Sequence, residues 1–145
     1  MSDSYWLFGA ILTIYADEKA SDSNYDLIEG KFFPGTTVPL HRHTAYSEQL
    51  YVLEGEFTID LDGRSFVLTP GQQVFIPVGA AHRVFASGTS LARGLVVASP
   101  SGFARLIRET GASVASNPDA PITTEEDLAL FFQKSAALGD EIISL

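Results

Sequence analysis

The stretch PLHRHTAYSE, at residues 39–48, holds two of the three histidines in the chain. On an extended strand alternate side chains share one face, so His41 and His43 are expected to project together, with Arg42 on the other side. A short turn through residues 44–47 would bring Glu48 back beside the two imidazoles. The segment therefore predicts two nitrogen ligands and one oxygen ligand on one face of a strand.

The third histidine follows the stretch IPVGAA, where Pro77 and Gly79 allow a tight approach to a new strand. Its position lets His82 lie across the fold from the first two. Neutral imidazoles with a carboxylate suit Fe, Mn, Ni, Co, Cu or Zn. The spacing is equally compatible with histidines that are only hydrogen-bonded or exposed, because any two residues i and i+2 on a strand share a face.

The surrounding sequence is typical of an all-β domain. Between Trp6 and Ser99, short runs rich in Val, Ile, Phe, Tyr and Thr are separated by Gly, Pro and Asp-Gly. Residues 56–61 alternate polar and apolar, Asp62-Gly63 suits a two-residue hairpin, and residues 65–68 read as the return strand. Turns recur about every ten residues without intervening helices, which favours a sandwich or an antiparallel barrel.

Both histidine segments resemble the two signature motifs of the cupin superfamily. The first pattern is G-x5-H-x-H-x4-E-x6-G and the second is G-x5-P-x-G-x2-H-x3-N. Nine of the ten positions match, and the exception is Ala86, where the pattern has asparagine. The matching residues are Gly35, His41, His43, Glu48 and Gly55 in the first motif, and Gly71, Pro77, Gly79 and His82 in the second.

The resemblance implies an antiparallel jelly-roll β-barrel that holds a divalent transition metal on His41, His43, Glu48 and His82. One motif pair resembles a single-domain cupin of the quercetin dioxygenase-like kind. Such proteins are often dimers, so a homodimer is expected. In the dioxygenases of this kind the glutamate also accepts a proton from the substrate hydroxyl, a catalytic role that the resemblance carries to Glu48.

Strand parity predicts a mostly apolar substrate pocket around these ligands. Alternation from Glu48 and His82 turns Leu50, Val52 and Val84 inward, and Ala86 takes the place of the motif's asparagine. An aromatic or hydrophobic small molecule would fit such a lining.

After Pro100 the pattern becomes helical. Ser101 is a candidate N-cap for a short helix that ends at Gly111. Residues 123–127 supply cap residues and acids for the start of a second helix, which is expected to end near Gly139. We therefore predict a barrel with its N-terminal strand at residues 1–99 and a helical extension at 100–145. The apolar residues of the second helix are expected to pack on the barrel or on a partner subunit.

Composition excludes several classes of protein. With 9 basic and 18 acidic residues the net charge is −9, which disfavours nucleic acids and anionic membranes as partners. The apolar run from Tyr5 to Ala16 is shorter than the roughly 20 residues of a membrane-spanning helix. The lack of cysteine excludes a disulfide scaffold. No clear signal peptide is present, so a cytoplasmic location is expected.

Three functions remain open from the sequence. The first is a metal-dependent oxygenase that acts on a small aromatic or enolic molecule, because an ion that favours six ligands keeps positions open beside four protein ligands. The second is a non-catalytic cupin that binds a small ligand or uses the metal for stability, as a saturated tetrahedral site would. The third, a sugar or keto-acid isomerase, would require a polar lining.

Overall fold

The structure is a computed structural model that describes residues 3–144. β-strands are the commonest element of this part of the chain, and two helices follow the tenth strand. The helices are α1 (Phe103–Thr110) and α2 (Glu125–Leu138). The strands are β1 (Ser4–Leu7), β2 (Ala10–Ala16), β3 (Asp26–Phe32), β4 (Leu40–His43), β5 (Ser47–Glu54), β6 (Phe57–Leu61), β7 (Arg64–Leu68), β8 (Gln73–Ile76), β9 (His82–Ala86), β10 (Ala92–Ser99), β11 (Ala112–Ser113) and β12 (Asp140–Ser144).

The strands form two antiparallel sheets. One sheet has the order β11-β1-β2-β3-β10-β5-β8 and the other has the order β12-β4-β9-β6-β7. From β3 to β10 the chain crosses between the sheets at every connection except the β6–β7 hairpin, which is the connectivity of a double-sheet jelly roll.

The prediction of a closed barrel is wrong in this respect. The strands divide into two sheets that do not join into one ring. The physical reason is that alternating polar and apolar residues show only that one face of a strand is buried. That pattern is the same in a barrel and in two facing sheets.

The core lies between the sheets and is built from inward side chains of both. Glu48, Leu50 and Val52 of β5 are all buried, as strand parity predicts. They face the second sheet, where Phe57 and Ile59 of β6 are almost completely buried. Burial on this scale contributes about 1.5–3 kcal/mol for each large apolar side chain.

Two tight turns have the backbone that the sequence predicts. Asp62 and Gly63 join β6 to β7 with φ values of 47° and 81°, which is the left-handed pair of a two-residue hairpin. Gly55 has a φ of 72°, and a Cβ atom added there would overlap the carbonyl oxygen of Leu91. Only glycine meets both requirements at this corner.

The segment after Ser99 contains both predicted helices. Gly102, and not Ser101, is the N-cap of α1, and the buried carboxylate of Asp26 accepts hydrogen bonds from the backbone N–H of Gly102 and Ala104. Helix α2 begins after Thr124 with a capping box and ends at Gly139, which has a φ of 101°, as predicted.

This segment also contains two strands that the sequence did not predict. β11 pairs with β1, and β12 pairs with β4. The division into units at 1–99 and 100–145 stays a prediction, and residues 1, 2 and 145 of those ranges lie outside the described residues. Within residues 3–144, neither helix has the length and apolar character needed to cross a bilayer.

Candidate metal centre

Strands β4 and β9 bring the three histidines together. His41 and His43 lie two residues apart on β4, and His82 is directly opposite His41 on the neighbouring strand β9. The backbone N–H of Gly79, which lies in the turn before β9, donates to the carbonyl oxygen of His43 at 2.8 Å. This bond ties the second predicted motif to the first.

The imidazole nitrogens of these residues converge on one point. Each of the three residues contributes a ring nitrogen within 4.8 Å of the other two. The Nε2 atoms of His41 and His43 are 3.2 Å apart. The Nε2 atom of His82 is buried and has no hydrogen-bond partner within residues 3–144. A buried nitrogen without a partner costs free energy, so it fits a position that a metal ion fills.

The opposite nitrogen of each ring is held by an oxygen. The Nδ1 atoms of His41 and His82 contact the carbonyl oxygens of Pro39 at 2.6 Å and Ala80 at 2.9 Å. A carbonyl oxygen only accepts, so Nδ1 carries the proton and the lone pair of the neutral ring lies on Nε2. The same arrangement orients the histidine ligands of metal sites in general.

Glu48 of β5 completes the cluster from the other sheet. Its Oε1 atom is 3.2 Å from Nε2 of His43, and its Oε2 atom is 3.6 Å from Nε2 of His82. The side chain is almost entirely buried among apolar neighbours. The three histidines that the sequence singles out as ligands therefore lie together, and Glu48 contacts two of them, His43 and His82.

The pKa values of these groups are strongly shifted. Burial, together with the neighbouring imidazoles of His82 and His43, lowers the pKa of His41 to about 4. Burial also disfavours the charged form of His43, but hydrogen bonds to Asp140 and Glu48 outweigh it and raise the pKa of His43 to about 9. At pH 7 the metal-free cluster therefore holds one proton on His43, and a metal must displace it.

The pKa of Glu48 moves in the opposite direction to that expected from burial alone. Burial favours the neutral acid, yet the hydrogen bond from His43 and the nearby imidazole of His82 outweigh it and hold this pKa well below its usual range. Glu48 is therefore an ionised carboxylate at neutral pH.

Sequence reasoning did not find Asp140, which lies on β12. Its Oδ1 atom accepts from Nδ1 of His43 at 2.6 Å, and its Oδ2 atom accepts from the hydroxyl of Ser135 at 2.6 Å. Both side chains are buried. Asp140 comes 97 residues after His43 and outside both motifs. The only signal for it in the sequence is an acidic residue that directly follows the predicted helix end at Gly139.

Tyr46 was also not predicted. Its ring stacks on His43 with centroids 4.1 Å apart, and it is 1% exposed. Burial raises the pKa of the Tyr46 hydroxyl well above its usual value, so the group stays neutral. Tyr46 therefore fixes the plane of the His43 ring by packing.

A cavity of about 120 Å³ extends from the histidines between the two sheets. Of the four residues predicted to line a substrate pocket, Leu50 and Val84 do so. Val52 and Ala86 are buried in the core instead and do not line the cavity. The lining is mostly apolar, and its polar atoms are concentrated at the histidines, Glu48, Asp140 and Ser135. The further apolar residues that line the cavity include Leu7, Phe8, Leu12, Ile28, Phe57, Ile76, Phe103, Leu106 and Phe131.

The donor set fits a divalent transition metal. Three neutral imidazoles and one carboxylate match the ligand preferences of these ions, and no thiolate is needed. The arrangement next to an apolar cavity also lets a small molecule approach the same point from one side.

Comparisons with known proteins agree with this site. A cupin domain model matches residues 30–98, a range that contains all four residues. A polyketide synthase, CurC of Streptomyces cyaneus, is 37% identical over 67 residues, 46% of this chain and 44% of that protein. Quercetin 2,3-dioxygenase of Bacillus subtilis is 30% identical over 78 residues, 53% of this chain and 23% of that protein. This chain thus spans less than half the length of these curated relatives.

Solved structures share the fold. The polyketide cyclase RemF from Streptomyces resistomycificus is 29% identical with a TM-score of 0.57, and the match covers 63% of this chain and 66% of that chain. The domain match, the two-sheet connectivity and the histidine cluster lead to the same assignment. This chain is a small member of the cupin superfamily.

Proposed function

We propose that this cupin is a metal-dependent, oxygenase-type enzyme that acts on a small aromatic or enolic molecule. The observation that carries the proposal is the convergence of three Nε2 atoms and the Glu48 carboxylate at one wall of an apolar cavity. The similarity to a quercetin dioxygenase supports the reaction class.

In this proposal His41, His43, Glu48 and His82 hold the metal. An ion with six-coordinate preference would keep two positions for dioxygen and for a substrate oxygen, and it would polarise the substrate hydroxyl. The chain's own residues orient the reactants: Leu50 and Val84 contact the apolar body of the substrate and exclude water from the cavity.

Glu48 has a second role in the proposal, as the group that accepts the proton of the substrate hydroxyl. Its carboxylate is ionised, and its two oxygens lie between two imidazoles. A substrate oxygen that approaches the same point would come within hydrogen-bond reach of it. Glu48→Gln should therefore reduce turnover more than substrate binding.

The test is anaerobic reconstitution of the metal-free protein with Fe, Mn, Co or Ni, each in turn, followed by measurement of oxygen uptake. Flavonols, catechols and diketones are the substrates to add. We expect oxygen uptake with at least one of these metals. The uptake should depend on added substrate and should be lost when His82 is replaced. Absence of uptake with every metal, in protein shown to bind metal, would contradict the proposal.

A second candidate is a cyclisation reaction without oxygen. The similarities to a polyketide synthase and to a polyketide cyclase favour it. Conversion of a poly-β-keto substrate without oxygen consumption would select this candidate over the oxygenase.

The non-catalytic alternative makes a different spectroscopic prediction. A Co(II)-substituted site with tetrahedral, water-free coordination would favour a structural metal, whereas exchangeable water on the metal would favour either enzyme. The absorption spectrum of the Co(II) protein separates these cases.

We also propose that the protein is a homodimer that acts in the cytoplasm. Tyr51, Phe75 and Val97 lie on the outer face of neighbouring strands and are 40%, 55% and 37% exposed. An apolar patch on a sheet face supports association between copies. Light scattering of the purified protein measures the oligomeric state directly.

A further inference from the structure

A second cavity lies next to the one that contains the histidines. This outer pocket has a volume of about 220 Å³ and is lined by Trp6, Thr110, Thr123 and Leu128, among others. Ile122, which also lines it, is 89% exposed, so the outer pocket opens to solvent. We refer to the cavity at the histidines as the inner cavity.

Three side chains line both spaces and form the wall between them: Leu7, Phe8 and Phe131. The rings of Phe8 and Phe131 meet edge to face, with centroids 4.8 Å apart and planes at 84°. One ring comes from the turn between β1 and β2 and the other from α2. The wall therefore consists of the contact between these two rings together with Leu7, the last residue of β1.

The backbone at Phe8 is unusual for an aromatic residue. Phe8 and Gly9 form the two-residue turn between Leu7 and Ala10, with φ values of 51° and 79°. Glycine and asparagine are the residues that favour this left-handed conformation, and phenylalanine is uncommon there. A less favourable residue kept at a tight turn suggests a role for its side chain, and that side chain contacts Phe131.

The volumes indicate what the two spaces hold. An apolar cavity of about 150 Å³ accommodates a single benzene ring, so the inner cavity has room for about one ring. Pockets for small molecules commonly have at least about 300 Å³. Neither space reaches that size alone, but the two joined through the Phe8–Phe131 contact exceed it.

The chemistry of the outer pocket suits a second aromatic ring. The indole N–H of Trp6 donates to the carbonyl oxygen of Asn117, so the indole offers apolar surface and no free donor. The hydroxyl of Thr110 donates to the carbonyl oxygen of Leu106 and keeps its oxygen available as an acceptor. Asp127 and Thr123 also line this pocket and add oxygen acceptors. Aromatic side chains beside such acceptors favour a ring that carries a hydroxyl group.

We propose that the inner cavity and the outer pocket are two ends of one binding site for an elongated aromatic molecule of at least two linked rings. The oxygen-bearing ring lies beside the histidines, and the second ring passes between Phe8 and Phe131 into the outer pocket. The orientation rests on the proposed function, whereas the two-ring length rests on the cavities alone. Trp6, Phe8, Thr110 and Phe131 all lie outside the matched cupin domain at residues 30–98, so the domain match does not account for this subsite.

The test compares catechol with 4-phenylcatechol, which has the same oxygen-bearing ring and one more ring. Dissociation constants are measured by calorimetry without oxygen, on metal-loaded and metal-free protein. We expect 4-phenylcatechol to bind at least about tenfold more tightly, because burial of a phenyl ring favours binding by more than one decade. Trp6 is the only tryptophan of the chain. Its fluorescence should therefore change with 4-phenylcatechol and stay constant with catechol.

A matched pair of variants tests the location. Thr123→Phe fills the outer pocket and should remove the advantage of 4-phenylcatechol, with catechol binding changed less than about twofold. Leu130→Phe places the same ring on α2 at a residue that lines neither space, and it should leave the advantage intact. Equal binding of the two probes, binding of neither, or a Thr123→Phe protein that keeps the preference would overturn the proposal.

These binding measurements, combined with the oxygen-uptake assay, separate this proposal from the proposed function. A length preference in protein that consumes no oxygen would leave the two-ring site standing and count against the oxygenase. Oxygen uptake with catechol, in protein that binds both probes equally, would support the oxygenase and contradict the two-ring site.

Discussion

Replacement of Asp140 by asparagine should weaken metal binding, although Asp140 is not a ligand in the proposed site. Its carboxylate accepts from Nδ1 of His43 at 2.6 Å and from the Ser135 hydroxyl at 2.6 Å. Asparagine has the same shape and keeps an oxygen that accepts from Nδ1. The change therefore removes the negative charge behind His43 and leaves the packing almost intact.

The magnitude follows from the burial and length of these bonds. A hydrogen bond to a charged group contributes about 1.5–3 kcal/mol, and the side chains of His43 and Asp140 are only 5% and 3% exposed, so solvent screens the charge weakly. Groups that orient metal-bound histidines typically change metal affinity by about 10- to 100-fold when they are replaced. We expect a loss in that range for Asp140→Asn at pH 9.

The loss should be smaller at pH 7. The carboxylate that favours the metal also helps to hold a proton on His43, with a pKa of about 9. Asp140→Asn lowers this pKa, so the proton competes less strongly with the metal at neutral pH. The two effects oppose each other at pH 7, and only the weaker ligation remains near pH 9.

The assay is competition for Zn(II) or Ni(II) with a chromophoric chelator at both pH values. Glu141→Gln is the control, since it removes one negative charge from the adjacent residue of β12, where the side chain is 61% exposed and only 3.7 Å from Arg42. A screened surface charge should change the affinity less than about twofold. Unchanged affinity of Asp140→Asn at pH 9, or an equal loss in Glu141→Gln, would refute the reasoning.

Three further predictions concern pH and stability. Metal affinity of the wild-type protein should rise about tenfold per pH unit from pH 6 to pH 8, because His43, with its pKa of about 9, must lose a proton. Chelator titrations that give a constant affinity over this range would contradict this prediction. Asp26→Ala should lower the free energy of unfolding, measured in urea, by about 1–3 kcal/mol, since two buried N–H groups at the start of α1 lose their acceptor. An unchanged unfolding midpoint would show that water replaces the carboxylate. Gly55→Ala should destabilise the protein by at least about 2 kcal/mol more than Gly63→Ala, because Gly63 has a similar φ but open space around it. Equal losses of stability in thermal unfolding would mean that the Leu91 carbonyl moves freely.

The sequence predicts the part of the candidate site that depends on a local pattern. The i, i+2 spacing of His41 and His43 determines a shared face on any strand, and the structure has that strand at Leu40–His43. The position of His82 opposite His41 depends on sheet pairing, which no local pattern contains. For that step the resemblance to the two cupin motifs was necessary.

Other features could not be predicted because they depend on contacts between distant segments. Asp140 reaches His43 through the pairing of β12 with β4, and Phe131 reaches Phe8 through the packing of α2. Val52 has the inward parity that the sequence predicts, yet it lies deeper in the core than the cavity. Parity determines the side of a sheet and gives no information about distance along it.

The pairing of β12 with β4 has a consequence for the order in which the protein is assembled. All three histidines and Glu48 leave the ribosome long before Asp140, so a nascent chain carries the four proposed ligands without the residue that orients His43. Such long-range pairings form late during folding. The hydrogen bond that orients His43 should thus form only after β12 has been made and has paired with β4, later than the four proposed ligands are available.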